Sequence, residues 1–263
     1  LGILEEKLEV STKDVYEIAG PLDLTFLMKM YGLEGCDDLR EKPFVPQKNP
    51  RIVAGENIFD EIKKGDIFLT HPYETFDPVV DFIKQAAVDP DVLAIKQTLY
   101  RVSGNSPIIA ALAKAAENGK QVTVLVELKA RFDEENNINW AEFLQDAGCK
   151  VIYGMEGYKV HSKICLVMKQ DKTGIKYFTQ IGTGNYNAST SSLYTDISLI
   201  TSNEDIGKDA VEFFQNMGID NLYGEYKNLL VAPVSLKNTL LDLIKEEIEK
   251  AKAGEETSIF LKM

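Results

Sequence analysis

The residues best suited to chemistry in this 263-residue chain lie in Tyr158-Lys159-Val160-His161-Ser162-Lys163-Ile164-Cys165-Leu166-Val167 and, soon after, in Gly182-Thr183-Gly184-Asn185-Tyr186-Asn187. The chain has only two histidines. His161 stands two positions before Lys163 at the head of an apolar run. On a strand, residues two apart share a face, so both side chains would point into one site. An imidazole nitrogen can bond a phosphoryl group while a neighbouring ammonium offsets its charge. A bare H-x-K is most often a surface histidine beside a solvated lysine. The glycine-rich stretch changes the reading. Glycines there let backbone N–H groups approach an anion, and the Asn185 side chain can donate a further bond.

Arg101 and Arg131 each fall just beyond the carboxyl end of an expected strand, at 94–100 and 121–128, with Lys129 a weaker third. Ligands of open α/β sheets bind at that end, and guanidinium forks match phosphate oxygens. Taken singly, either arginine reads as a solvated loop residue; two at equivalent positions favour a convergent pair. Tyr194, bordering the strand after the glycine loop, could stack on a base, donate to a phosphate or simply pack. His71 reads first as a structural histidine, Trp140 as core, and Asp133-Glu134-Glu135 as a solvated helix start.

Alternating signals must position these residues. Strands are expected at 66–70, 94–100, 121–128 and 150–153. Helices open at Asp77-Pro78 and Ser106-Pro107 and cover 137–147. Strand, helix, strand at this spacing predicts βαβ units and a mostly parallel sheet, hence an α/β fold. A hairpin follows, from 162–167 and 176–181 around Asp171-Lys172-Thr173-Gly174. Further strands are expected at 195–201 and 257–261, and helices at 204–217 and 235–253. The helix-then-strand pair containing Asp81-Phe82-Ile83-Lys84 and Ile95-Lys96 recurs weakly as Asp242-Leu243-Ile244-Lys245 and Ile259-Phe260-Leu261-Lys262, as a duplicated domain would show.

The hydrophobic share is 44%, enough for a full core, and the net charge is −12. Such an acidic total argues against a main role in gripping a polyanion, so any phosphate binding must come from a local set of cations. Cys36, Cys149 and Cys165 lack metal spacing and read as reduced thiols of a cytoplasmic protein. No apolar stretch reaches the roughly 20 residues of a membrane span. The start at Leu1 reads as a piece of something longer. Residues 1–50, closing with Pro43, Pro46 and Pro50, read as the tail of a preceding domain and its linker.

Five stretches together resemble polyphosphate kinase of the first type, within the phospholipase D-like superfamily. They are Ile95-Lys96-Gln97-Thr98-Leu99-Tyr100-Arg101, Leu128-Lys129-Ala130-Arg131-Phe132-Asp133-Glu134-Glu135-Asn136-Asn137, His161-Ser162-Lys163, Gly182-Thr183-Gly184-Asn185-Tyr186-Asn187 and Leu193-Tyr194-Thr195-Asp196. The resemblance runs from about Phe44 to Ser202. It implies a phospholipase D-like sheet flanked by helices and reversible transfer of the ATP γ-phosphate to polyphosphate through a phosphohistidine. His161 matches the phosphorylated histidine, Lys163 and Asn185 the superfamily pattern, and Tyr194 a nucleotide-contacting tyrosine. Arg101 and Arg131 match a magnesium–phosphate site. An arginine has no lone pair to give a metal, so Mg²⁺ would be held through the phosphates they bind. The superfamily's hydrolases carry an Asp five residues after the lysine. Met168 stands there instead, which argues against the alternative of a phosphodiesterase or nuclease. A non-catalytic polyphosphate-binding or self-association module is the other alternative. With one H-x-K where the family has two, the chain reads as a head-domain tail (1–50), a first catalytic half (51–230) and the start of a second (231–263), inactive alone. By resemblance its partners are ATP, ADP and inorganic polyphosphate, with no nucleic acid, in a homo-oligomer that is cytoplasmic or at the membrane periphery.

Overall fold

A computed structural model of the chain describes residues 2–261 apart from 43, 54, 101, 103–105 and 128–133. The chain divides into two compact units, Leu1–Phe44 and Val45–Met263. The first holds two short helices, α1 (Gly2–Leu8) and α2 (Phe26–Tyr31), neither with a buried residue.

The second unit is built on seven strands. In chain order they are β1 (Ile67–His71), β2 (Val92–Leu99), β3 (Gln121–Val126), β4 (Lys150–Tyr153), β5 (Lys163–Asp171), β6 (Gly174–Gly182) and β7 (Asp196–Thr201). The helices are α3 (Ile58–Lys63), α4 (Asp77–Val88), α5 (Pro107–Glu117), α6 (Glu134–Asp146), α7 (Ala188–Ser191), α8 (Glu204–Gly218) and α9 (Ser235–Lys252). Several of their starts follow from side-chain caps. Asn57, Ser106, Asn187 and Asn203 each accept a backbone N–H from the first turn of the helix they precede, which fills donors that have no partner inside the helix.

The sheet order is β1-β7-β6-β5-β2-β3-β4. The expected α/β class holds, with one correction to the sheet. Only β2–β3 and β3–β4 are parallel; the other four pairings are antiparallel. The βαβ spacing is right for β2, β3 and β4. Two connections break the pattern. After α4 the chain passes over three strands, so β1 lies at the far edge against β7 rather than beside β2. β5 then enters reversed between β2 and β6.

The hairpin joining β5 to β6 turns where Asp171 Oδ1 accepts both the N–H and the hydroxyl of Thr173, each at 2.6 Å. Gly174 closes it at φ +123°, a conformation that side chains resist. The residues expected to form a last strand, 257–261, have no strand partner among the described residues.

Period-two alternation gives the sheet two apolar faces. Ile95, Cys165, Val167 and Phe178 face α3, α4 and α5, where Phe59 meets Phe178 edge to face at 4.9 Å and lies tilted against Phe82 at 5.5 Å. Leu125, Ile164 and Leu166 face Ala210, Phe213, Phe214 and Met217 of α8. Each fully buried large apolar side chain contributes about 1.5–3 kcal/mol. α8 lies so close to β6 that a Cβ on Gly207 would stand 2.2 Å from Tyr177 Cβ. Among the described residues no helix is long and apolar enough to cross a membrane.

Candidate functional site

The hairpin register brings the two opening motifs together. Lys163, the first residue of β5, pairs with Gly182, the last of β6, and Gly182 pairs in turn with Ser198 of β7. His161 lies in the loop just before β5 and is exposed, whereas Lys163 is only 5% exposed. Lys163 Nζ donates back to the His161 carbonyl. Both residues line one cavity of about 530 Å³ with Lys159, Gly182 and Thr183. The opposite wall of that cavity is apolar, with Phe213 and Met217 of α8 and Leu222, Leu229 and Val231 beyond it.

Tyr100, one residue beyond β2, is the hub of the cationic side. Its ring meets the His161 ring edge to face at 5.3 Å, and the ammonium groups of Lys159 and Lys163 stand 5.1 and 5.3 Å from its centroid. Cations favour the negative face of such a ring. Burial pushes the Lys163 ammonium down from its ordinary 10.5 to about 8; the Asp196 carboxylate pulls it back up and Lys159 pushes it further down. Lys163 is therefore still mostly charged at neutral pH.

Asp196 opens β7 and braces the glycine loop. It accepts from the Thr183 hydroxyl at 2.8 Å, and a Cβ on Gly184 would stand 2.6 Å from its Oδ2. Thr183 in turn accepts from Ile197 N at 3.0 Å and donates its own N–H to the Ile197 carbonyl at 3.0 Å. Tyr186, directly after Asn185, is buried and donates its hydroxyl to Gln180. Gln180 donates to Ser198 at 3.4 Å. The loop is thus fastened at both ends. On the other side of His161, Glu127 at the carboxyl end of β3 accepts the Val160 N–H at 2.7 Å.

Of the residues singled out from sequence, His161 and Lys163 share the cavity with the start of the glycine loop. Asn185 is half-buried in that loop, and its carbonyl accepts from Asn187 N at 2.7 Å. Tyr194 is 64% exposed, does not line the cavity, and is held by its own N–H to the Thr190 carbonyl at 3.0 Å. Arg101, Lys129 and Arg131 lie outside the described residues. His71 is 2% exposed, with Nδ1 3.0 Å from the Glu74 carbonyl and Nε2 3.4 Å from Ser198 Oγ, a structural setting. Trp140 is partly buried against the core. Cys149 and Cys165 are buried, and burial pushes both thiols up, Cys149 to about 11.

Sequence reasoning missed Tyr100, Glu127, Asp196 and Tyr186 as site residues. Three of them carry a signal that could have been used. Tyr100 and Glu127 follow the carboxyl ends of β2 and β3, and Asp196 is a carboxylate at the head of an otherwise apolar strand. Among the described residues no group of three His, Cys, Asp or Glu side chains could hold a metal ion. Among the described residues the cavity's polar side offers ammonium, imidazole and backbone donors, which suit an anion.

These features define an α/β protein whose central cavity joins a cationic side to an apolar wall. Comparison with known proteins makes the class specific. The polyphosphate kinase C-terminal domain 1 family matches residues 57–221. The polyphosphate kinase of Halalkalibacterium halodurans is 53% identical over 265 aligned residues, taking in 100% of this chain and 38% of that protein. That of Staphylococcus epidermidis is 50% identical, over 99% of this chain and 36% of its own length. The crystal structure of polyphosphate kinase from Porphyromonas gingivalis superposes with a TM-score of 0.77 at 34% identity, covering 95% of this chain and 41% of that one. The chain belongs to the polyphosphate kinase family. It spans about two fifths of the length of these relatives.

Proposed function

We propose that the protein to which this chain belongs transfers the terminal phosphoryl group of ATP to inorganic polyphosphate, reversibly, with His161 as the carrier. The observation that supports this most is the shared cavity of His161 and Lys163, with Lys163 paired directly to Gly182 at the mouth of the glycine loop. A neutral His161 ring nitrogen attacks the γ-phosphorus in line. The new N–P bond forms as the bond from phosphorus to the β,γ-bridging oxygen breaks, and ADP leaves with that electron pair. A terminal oxygen of polyphosphate then takes the phosphoryl group from the nitrogen, which returns to its neutral form. Lys163, with Arg101 and Arg131, offsets the charge spread over the equatorial oxygens. Asn185 adds a donor beside the glycine loop, and the exposed ring of Tyr194 contacts the nucleotide. Mg²⁺ belongs to the substrate phosphates and no step is assigned to it.

Residues 51–230 form the first catalytic half in this reading, preceded by the tail of a head domain and followed, from 231, by the start of the second. The chain alone is expected to be inactive for want of that second half. Polyphosphate formation from ATP is measured for residues 1–263 and for a full-length relative side by side. Robust synthesis by the isolated chain would refute the two-half reading. Cleavage of phosphodiesters without ATP would refute the kinase reading.

A further inference from the structure

The apolar wall opposite His161 and Lys163 is formed largely by an irregular segment, residues 219–233, that has few means of holding itself in place. α8 holds it. Asp209, 5% exposed on that helix, accepts three consecutive backbone N–H groups of the wall, from Lys227 at 3.1 Å, Asn228 at 2.6 Å and Leu229 at 2.9 Å. Its burial alone would raise the carboxyl pKa; the three N–H bonds outweigh this and hold it below the usual carboxylate range. Two turns further along α8, Asn216 uses its whole side-chain amide on the same segment and on its own helix. Nδ2 donates to Tyr226 Oη at 3.2 Å and to Glu212 Oε1 at 3.0 Å, and Oδ1 accepts from Asn221 at 2.7 Å. Gly224 passes so close that a Cβ there would stand 2.1 Å from Asn216 Nδ2.

We propose that Asp209 is a positioning residue for the phosphoryl site: by clamping Lys227–Leu229 it fixes the wall that keeps water from the space beside His161 and Lys163. The attraction between an anion and the Lys159 and Lys163 ammonium groups is stronger when apolar side chains replace water around it, because the surroundings screen less. Leu222, Leu229 and Val231 supply that replacement. Asp209 itself is absent from the cavity lining, so its influence passes through the wall. The inference rests on the reading of His161 as a phosphoryl-binding residue.

The test uses the chain itself with inorganic tripolyphosphate as probe. Two readouts are taken: amide hydrogen exchange across 222–233, and the imidazole resonances of His161, assigned against His71 by a His161→Gln variant. In Asp209→Asn the one remaining oxygen can keep either the Lys227 N–H or the Asn228 and Leu229 pair but not all three, so exchange at one or more of these positions should rise about tenfold or more. The tripolyphosphate concentration that half-saturates the His161 shift should rise several-fold. Gly224→Ala, which forces the wall off Asn216 without touching Asp209, should give the same pair of changes and carries the test if Asp209→Asn does not fold. Lys208→Ala, exposed on the same helix, should change neither. Faster exchange with unaltered half-saturation would overturn the positioning role, as would unaltered exchange. If tripolyphosphate leaves His161 undisturbed in the unmodified chain, the phosphoryl-site reading fails, and the positioning role with it.

Discussion

The rings of Tyr100 and His161 meet edge to face, centroids 5.3 Å apart and planes at 74°. The contact ties the end of a parallel strand, β2, to the loop before an antiparallel one, β5. It orients an imidazole that is otherwise exposed. An edge-to-face pair is worth about 0.5–1.5 kcal/mol. Replacing Tyr100 by Leu should therefore slow phosphoryl transfer to His161 roughly threefold to tenfold, while Tyr100→Phe keeps the ring and most of the rate. Single-turnover labelling from γ-labelled ATP in a full-length protein measures both, and equal rates in the Leu and Phe variants would remove the orienting role.

Lys163 gives two opposite pH responses. In the proposed mechanism its charge serves the site, and that charge is lost as pH rises through about 8, so the activity of a full-length protein should fall on the alkaline side near that value. Stability should move the other way. The folded-state value lies below the ordinary 10.5, so between about 8 and 10.5 the unfolded chain holds a proton that the folded chain has released. Stability from this group therefore rises with pH across that window. Denaturant midpoints of the unmodified chain and of Lys163→Met, compared from pH 7.5 to 10.5, should show the unmodified chain gaining on the variant. A difference that stays flat with pH would contradict the buried, protonated lysine.

Asp196 is the group that holds the Lys163 proton against burial. Asp196→Asn should move the alkaline limb of activity to lower pH. A limb that moves by about half a pH unit lowers the rate on its alkaline side roughly threefold. Gly184→Ala should move it in the same direction, because its Cβ would displace the carboxylate that now stands 2.6 Å away. A pH–rate profile of each variant decides the matter, and an unmoved limb in both would show that Asp196 braces the loop and does no more.

Phe178 is 1% exposed on β6 and packs edge to face on Phe59 of α3. Truncation to Ala should cost about 3–5 kcal/mol, from lost burial and the cavity left behind. Urea midpoints test this, and a loss under about 1 kcal/mol would mean that the sheet repacks around the gap.

Much of this arrangement was legible in the sequence, for local reasons. Ser106 and Pro107 at the start of α5, and Gly119 and Gly254 beyond the ends of α5 and α9, place those helices to within a residue or two, although Ser235 lies inside α9 and does not cap it. The turn at Asp171–Gly174 gives the hairpin, and the hairpin register alone brings Lys163 to Gly182. Strand order was not legible. Helix spacing between β1 and β2 looks the same whether the second strand lies beside the first or three strands away, because that choice is made by long-range packing. The stretch 257–261 has strand composition, yet a strand also needs a neighbour to bond with. Tyr100, Glu127 and Asp196 went unseen as site residues because their roles depend on distant pairings: β2 with β5, β3 with the loop before β5, and β7 with the glycine loop.

The most direct test concerns where the phosphoryl group rests. A full-length member carrying these residues is incubated with γ-labelled ATP, quenched at alkaline pH, digested and mapped. A phosphoryl group carried on His161 predicts an acid-labile, base-stable label on the peptide holding that residue, absent from His161→Gln and followed by transfer to polyphosphate. An undiminished label in the His161→Gln protein would contradict it.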